Sequence, residues 1–172
     1  MKNILLMTMS MALLSCSNYQ IPDSPTFNAA GSWVIMPMIN NANAPMAAEK
    51  AEQLIATQLY VKGINAMSYP TTNSNDLRSV LDSSVKQQNA EAWLADQPVD
   101  YVITGSVEEW HYKSGLDGEP AVGLTLEIKS AKSDQVYWRA SGSRVGWGRE
   151  SITGTGQVVI EKLLDGIIIT QP

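Results

Sequence analysis

An alternation near the middle of the chain is its clearest signal. Val122, Leu124, Leu126 and Ile128 face one way, with Thr125, Glu127 and Lys129 opposite, the period-two pattern of a strand with one buried face. That run, Ala121–Ala131, is one of three. Tyr101–Tyr112 precedes it across Ser114-Gly115-Leu116-Asp117-Gly118-Glu119-Pro120, a stretch of turn formers. Val136–Val145 follows across Lys132-Ser133-Asp134-Gln135 and ends in Gly146-Trp147-Gly148. These runs predict a three-stranded antiparallel meander. Earlier in the chain, Ser32–Met38 reads as a strand stopped by Pro37 and Asn40-Asn41-Ala42-Asn43. A helix is expected from Pro45, because proline suits a first helical position. Ala51, Leu54, Ile55 and Leu59 form its buried stripe, and Gly63 its C′ glycine. Ile64–Ser68 reads as a short strand ended by Pro70, and Leu77–Ala95 holds helical material after a polar loop. A last helix carries Val159, Ile160, Leu163 and Ile167 on one side. The order β-α-β-α-β-β-β-α predicts a single compact α/β domain over 32–172, with a mixed sheet and about three helices.

The first residues follow a different logic. Lys2 is a short positive start, and Ile4 to Leu14 is an apolar stretch far short of the roughly 20 residues that span a bilayer. It suits the apolar region of a secretion signal, about 7–15 residues long. Leu13-Leu14-Ser15-Cys16 resembles the lipobox of bacterial lipoproteins, with Leu14 bulkier than the usual residue. Residues 1–15 are therefore expected to be a signal peptide and Cys16 the acylated first residue of the mature chain. Cys16 is the only cysteine, so acylation also accounts for an unpaired thiol in an exported protein. Residues 16–31, with Pro22, Pro25 and polar neighbours, read as a lipidated tether. Ser17 in place of aspartate points to the outer membrane.

Composition narrows the functions available. Without Lys2 the chain has 11 Lys and Arg against 17 Asp and Glu, a balance of −6. No basic cluster offers a phosphate footprint, which argues against nucleic acid. An acidic surface suits a cationic partner. His111 is the only histidine and lies in a predicted strand beside Trp110 and Tyr112, so zinc ligands and a Ser-His-Asp system are both wanting. Ser83-Ser84-Val85-Lys86 matches S-x-x-K without the accompanying K-T-G. Gly142, Gly146 and Gly148 close a late strand and make no dinucleotide motif. Glu108 and Glu109 are adjacent in a strand, so their side chains should point to opposite faces. No catalytic residues, metal or cofactor are expected.

Two features remain. In Gly146-Trp147-Gly148-Arg149 the indole has small neighbours. Trp147 is either a core residue at a strand end or an indole at a membrane interface, with Arg149 meeting lipid phosphates. The hairpin tip with Asp117 and Glu119, near Glu108 and Glu109, is either a solvated turn or, repeated around a ring, a negative mouth.

Several segments together resemble the Pel polysaccharide export outer-membrane lipoprotein family (PelC-type). They are Trp33–Pro37 with Asn40 and Asn43–Pro45, Ala51-Glu52 and Leu59, and Thr104-Gly105-Ser106-Val107-Glu108-Glu109-Trp110-His111-Tyr112-Lys113. Gly115–Pro120, Gly123–Leu126, Val136–Trp138, Ala140–Gly142 and Ser143–Glu150 complete the pattern. The resemblance implies a non-enzymatic lipoprotein that forms a periplasmic homo-oligomeric ring, dodecameric in the family. That ring lies under an outer-membrane β-barrel porin with a helical-repeat periplasmic scaffold. It implies an acidic periplasmic face that guides a cationic exopolysaccharide in biofilm matrix production, and a membrane-facing tryptophan at Trp147. The guiding carboxylates are expected to be Asp117 and Glu119, with Glu108 and Glu109 next. The same α/β core occurs in activators of peptidoglycan synthases and in the curli secretion subunit. A monomeric activator of a cell-wall synthase would need a tether of roughly 50 residues at about 3.3–3.6 Å each. A curli-type channel would need two further strands of about 9–11 residues.

Overall fold

The computed structural model describes residues 16–70, 83–115 and 117–170. The signal segment, Leu116 and the first part of the expected Leu77–Ala95 helix lie outside the described residues. The meander sits as its alternation predicts. Strand β6 (Tyr101–Tyr112) pairs antiparallel with β7 (Pro120–Ser130), and β7 with β8 (Val136–Val145). Val122, Leu124, Leu126 and Ile128 are buried on one face of β7.

Around this core the sheet is larger than expected. Strand β1 (Ser17–Gln20) pairs antiparallel with β8 at one edge. Strand β3 (Trp33–Ile35) pairs parallel with β6 and with β5 (Met67–Ser68) at the other. The order is β1-β8-β7-β6-β3-β5, and β4 (Ile39–Asn40) also pairs with β6. Strand β2 (Thr26–Asn28) pairs parallel with β9 (Ile168–Thr170) in a separate ribbon.

Helices α1 (Ala47–Val61) and α3 (Ile152–Leu164) cover one face. Ala47, Ala51, Ile55 and Leu59 recur at helical spacing and meet Val159, Ile160 and Leu163 over the inward residues of the meander. Ser151 caps α3 by accepting the Gly154 N–H at 3.0 Å. Helix α2 (Ser83–Ala95) covers the opposite face at the β3 end, where Ala90 packs with Val34, Met36, Val99 and Val102. The β7–β8–β1 half of that face has no helix over it among the described residues. Thr125, Ser141, Ser143 and Gln20 lie there.

Four expectations change. Residues 16–31 are no free tether: they carry β1 and β2, with Phe27 and Ala29 buried and Tyr19 and Ile21 packed on the core. Helix α1 starts at Ala47, not Pro45, because Met46 takes a left-handed turn at φ 59° that no helix continues through. Of Ser32–Met38 only Trp33–Ile35 is strand, and the chain passes Pro37, whose carbonyl accepts from Thr104 Oγ1 and Gln87 Nε2, both at 3.2 Å, before β4 begins at Ile39. Of Ile64–Ser68 only Met67–Ser68 is strand, because the Ile64 N–H returns to the Leu59 carbonyl at 2.9 Å to finish α1.

Candidate functional site

Of the residues singled out from the sequence, Cys16, Asp117, Glu119, Trp147 and Arg149 gather at the end of the meander where β6 turns into β7 and β8 stops. Cys16 is exposed there, and its carbonyl accepts the Val145 N–H at 3.0 Å. Ser17 stands opposite Arg144 in the register. The sheet edge thus carries Cys16 to within two residues of Trp147.

The loop after β8 is held by one carboxylate. Arg144 grips both oxygens of Glu150, with Nη2 to Oε2 at 3.0 Å, the bidentate geometry that makes such pairs strong. Glu150 Oε2 also accepts the Trp147 N–H at 3.1 Å, and the Glu150 N–H returns to the Trp147 carbonyl at 2.8 Å. Hydrogen bonding from Arg144 lowers the Glu150 pKa, and Arg144 is raised in return. Clamped by its backbone on both sides, Trp147 presents an indole that is 50% exposed. The core reading of Trp147 is thereby excluded. The flanking glycines serve close approach here. A Cβ at Gly146 would fall 2.6 Å from Thr155 Oγ1 and 2.7 Å from Glu150 Oε2. One at Gly148 would fall 2.9 Å from Asp117 Cβ and nearer still to the Asp117 carbonyl oxygen.

That last contact brings Asp117 together with Trp147. Asp117, with Glu119 two residues on, therefore occupies the same end as Cys16 and the indole. A carboxylate pair on the far side from Trp147 is not what these two residues form. Arg149 is exposed beside Trp147.

Glu108 and Glu109 lie elsewhere, and differently from expectation. The register runs Val107 opposite Leu124 and then Glu109 opposite Gly123, so Glu108 is the extra residue of a β-bulge. The bulge cancels the alternation that would have separated the pair. Both are exposed, and both line one open concavity of about 410 Å³ on the bare sheet face, with Gln20, Thr125, Ser141 and Ser143. Asn41 Nδ2 and the Ser106 hydroxyl hold Glu108. His111 is exposed on the same strand. Among the described residues no three His, Cys, Asp or Glu side chains gather as metal ligands, and no helix is long and apolar enough to cross a membrane. The arrangement offers an exposed indole beside an edge cysteine and a polar, acidic sheet face.

Comparison with solved structures decides the fold. The chain superposes on the PelC dodecamer subunit of Paraburkholderia phytofirmans with a TM-score of 0.76 and 28% identity, over 91% of this chain and all of that one. The chain has the PelC-type fold. A leucine-to-methionine variant of that dodecamer, from the same organism and in a second crystal form, gives a TM-score of 0.73 and 26% identity over the same shares. Lipoprotein GNA1162 from Neisseria meningitidis shares the fold at 14% identity and a TM-score of 0.52, over 78% of this chain and 96% of that one. No family model and no curated protein matches the chain. Within this PelC-type fold, Arg144 and Glu150 escaped the sequence reading. Their only trace is an Arg and a Glu flanking the Gly-Trp-Gly segment, six residues apart.

Proposed function

We propose that the mature chain is a non-enzymatic outer-membrane lipoprotein, acylated on Cys16 and facing the periplasm. Copies of it assemble into a ring that guides a cationic exopolysaccharide towards an outer-membrane export porin. The match over 91% of the chain to a subunit of the PelC dodecamer carries this reading. A closed ring repeats one heterologous contact about an axis. Cys16 lends support, since its place beside Val145 brings an acylated N-terminus and Trp147 to one end of the domain. Indole is favoured at a lipid–water interface, and Arg149 beside it suits lipid phosphates.

The four acidic residues then divide. Asp117 and Glu119 belong to the membrane end. Glu108 and Glu109, on the open sheet face, are the pair assigned to the polymer. Guidance needs weak, repeated attraction, and a wet carboxylate–ammonium contact contributes only about 0–1 kcal/mol. The pull should fade in strong salt, where the Debye length is about 3 Å at 1 M. A monomeric synthase activator fits less well, because β1 begins at Ser17 and leaves no free tether after Cys16.

Light scattering on the soluble chain from Ser17 onward, across a salt series, is the test. A large discrete species is expected. A strict monomer at high concentration refutes self-assembly. Neutralising Glu108 and Glu109 to Gln should then reduce polymer export more than neutralising Asp117 and Glu119.

A further inference from the structure

Five hydrogen bonds link Cys16 to the exposed indole of Trp147. The Val145 N–H holds the Cys16 carbonyl at 3.0 Å. Arg144, adjacent in β8, forks onto Glu150, with side chains 16% and 24% exposed. Glu150 then closes the turn on Trp147 from both sides, through the Trp147 N–H at 3.1 Å and the Trp147 carbonyl at 2.8 Å. The space that Gly146 leaves empty is filled by the Glu150 carboxylate and Thr155 Oγ1. This segment is therefore packed against α3 rather than loose.

We propose that Arg144 and Glu150 are positioning residues that join the acyl chain on Cys16 and the indole of Trp147 into one rigid two-point contact with a lipid bilayer. The inference rests on the membrane reading above and deepens it. A lipid alone fixes a domain to a surface but leaves it free to tilt and spin. A second anchor held at a fixed offset removes that freedom. It also inserts at high effective concentration, because the first anchor has already brought it to the surface. The benefit exists only if the link is stiff. A slack loop would have to be ordered each time the indole entered the lipid, and that ordering opposes insertion. Neither Arg144 nor Glu150 needs to touch lipid for this to work.

The test uses the full acylated lipoprotein reconstituted into phosphatidylethanolamine–phosphatidylglycerol vesicles carrying brominated acyl chains, which quench indoles at the interface. Subtracting Trp147→Phe isolates the signal of Trp147 from the other tryptophans. Glu150→Gln should remove at least half of that signal, with circular dichroism and vesicle association unchanged. Arg144→Lys keeps the charge but loses the fork, and should fall between Glu150→Gln and the wild type. It decides the matter if Glu150→Gln does not fold. Wild-type quenching of Trp147 in both variants overturns the proposal and leaves the membrane reading standing. No quenching of Trp147 in the wild type overturns both.

Discussion

Gly156 offers a prediction whose sign is decisive. It lies inside α3, where replacing glycine by alanine in an exposed helix is stabilising by about 0.8–1.0 kcal/mol. Here the helix faces Trp110, which is 2% exposed. A Cβ at Gly156 would stand 3.2 Å from Trp110 Cζ2, 2.9 Å from Cζ3 and nearer again to Cη2. Overpacking of this kind costs about 1–3 kcal/mol, so the two effects leave Gly156→Ala destabilised by about 0–2 kcal/mol. For a domain of this size about 1 kcal/mol lowers Tm by roughly 2–4 °C. The clashing atoms all belong to the outer indole ring, which phenylalanine lacks. Trp110 Nε1 is buried without a hydrogen-bond partner, so Trp110→Phe forfeits no bond. In the Trp110→Phe background Gly156→Ala should therefore recover the helical gain and become stabilising. A urea-unfolding double-mutant cycle measures the coupling, expected at about 1 kcal/mol or more in favour of the double variant. If Gly156→Ala stabilises the otherwise wild-type chain by the full helical amount, or the coupling is zero, the packing argument is wrong.

Three further outcomes follow from named contacts. Gly105→Ala should destabilise severely, by about 3 kcal/mol or more in thermal unfolding, because its Cβ would fall 3.2 Å from Leu126 Cα and on the Thr125 carbonyl, rigid backbone of the next strand. Tyr19→Ala should loosen β1 and leave the rest folded. Its ring covers Gly142, and hydrogen exchange of the Val145 amide, which bonds Cys16, should accelerate by at least tenfold. Glu52 accepts the Met38 N–H at 2.8 Å, and burial raises its pKa, with Lys86 opposing. A raised carboxylate favours folding while protonated and loses that contribution as pH rises through the folded value. Glu52→Gln should therefore be at least as stable as wild type at pH 7, with an advantage that shrinks on acidification. A difference independent of pH in denaturant titrations would contradict this.

The meander was legible because β7 alternates without a break and its turns carry Gly, Asp and Pro. Gly63 likewise ends α1 as read, at φ 82° with its N–H on the Tyr60 carbonyl. What escaped was set by distant partners. Ser-Asn-Tyr-Gln carries no strand pattern of its own, and β1 forms because Gly142 leaves room for Tyr19 and the β8 edge is open. Phe27 joins the core through the rings of Trp33 and Tyr101, at 5.7 and 5.5 Å, contacts that no local window contains. Glu108 and Glu109 differ from expectation for one reason. A bulge inserts a residue without any composition signal, so Glu108 and Glu109 read as opposed when they share a face.

That single inserted residue bears on function as well as on register. Without the bulge one of the pair would point towards Val122 and Leu124, where an unpaired carboxylate is costly. With it, both charges reach water and Trp110 still turns inward against α3. The bulge thus separates two demands on one strand, a buried indole to hold the helix and an acidic patch on the outer face. Deleting Glu108 would take out the extra residue and leave Glu109 opposite Gly123 and Trp110 opposite Val122, so the strand keeps its register and facing up to the hairpin tip. The acidic pair is thus gained by one added residue, and the placing of Asp117 beside Gly148 does not depend on it. A deletion at Glu108 should therefore leave the fluorescence of Trp147 as it is, just as Glu108→Ala does, and a change in Trp147 on deletion alone would contradict this register.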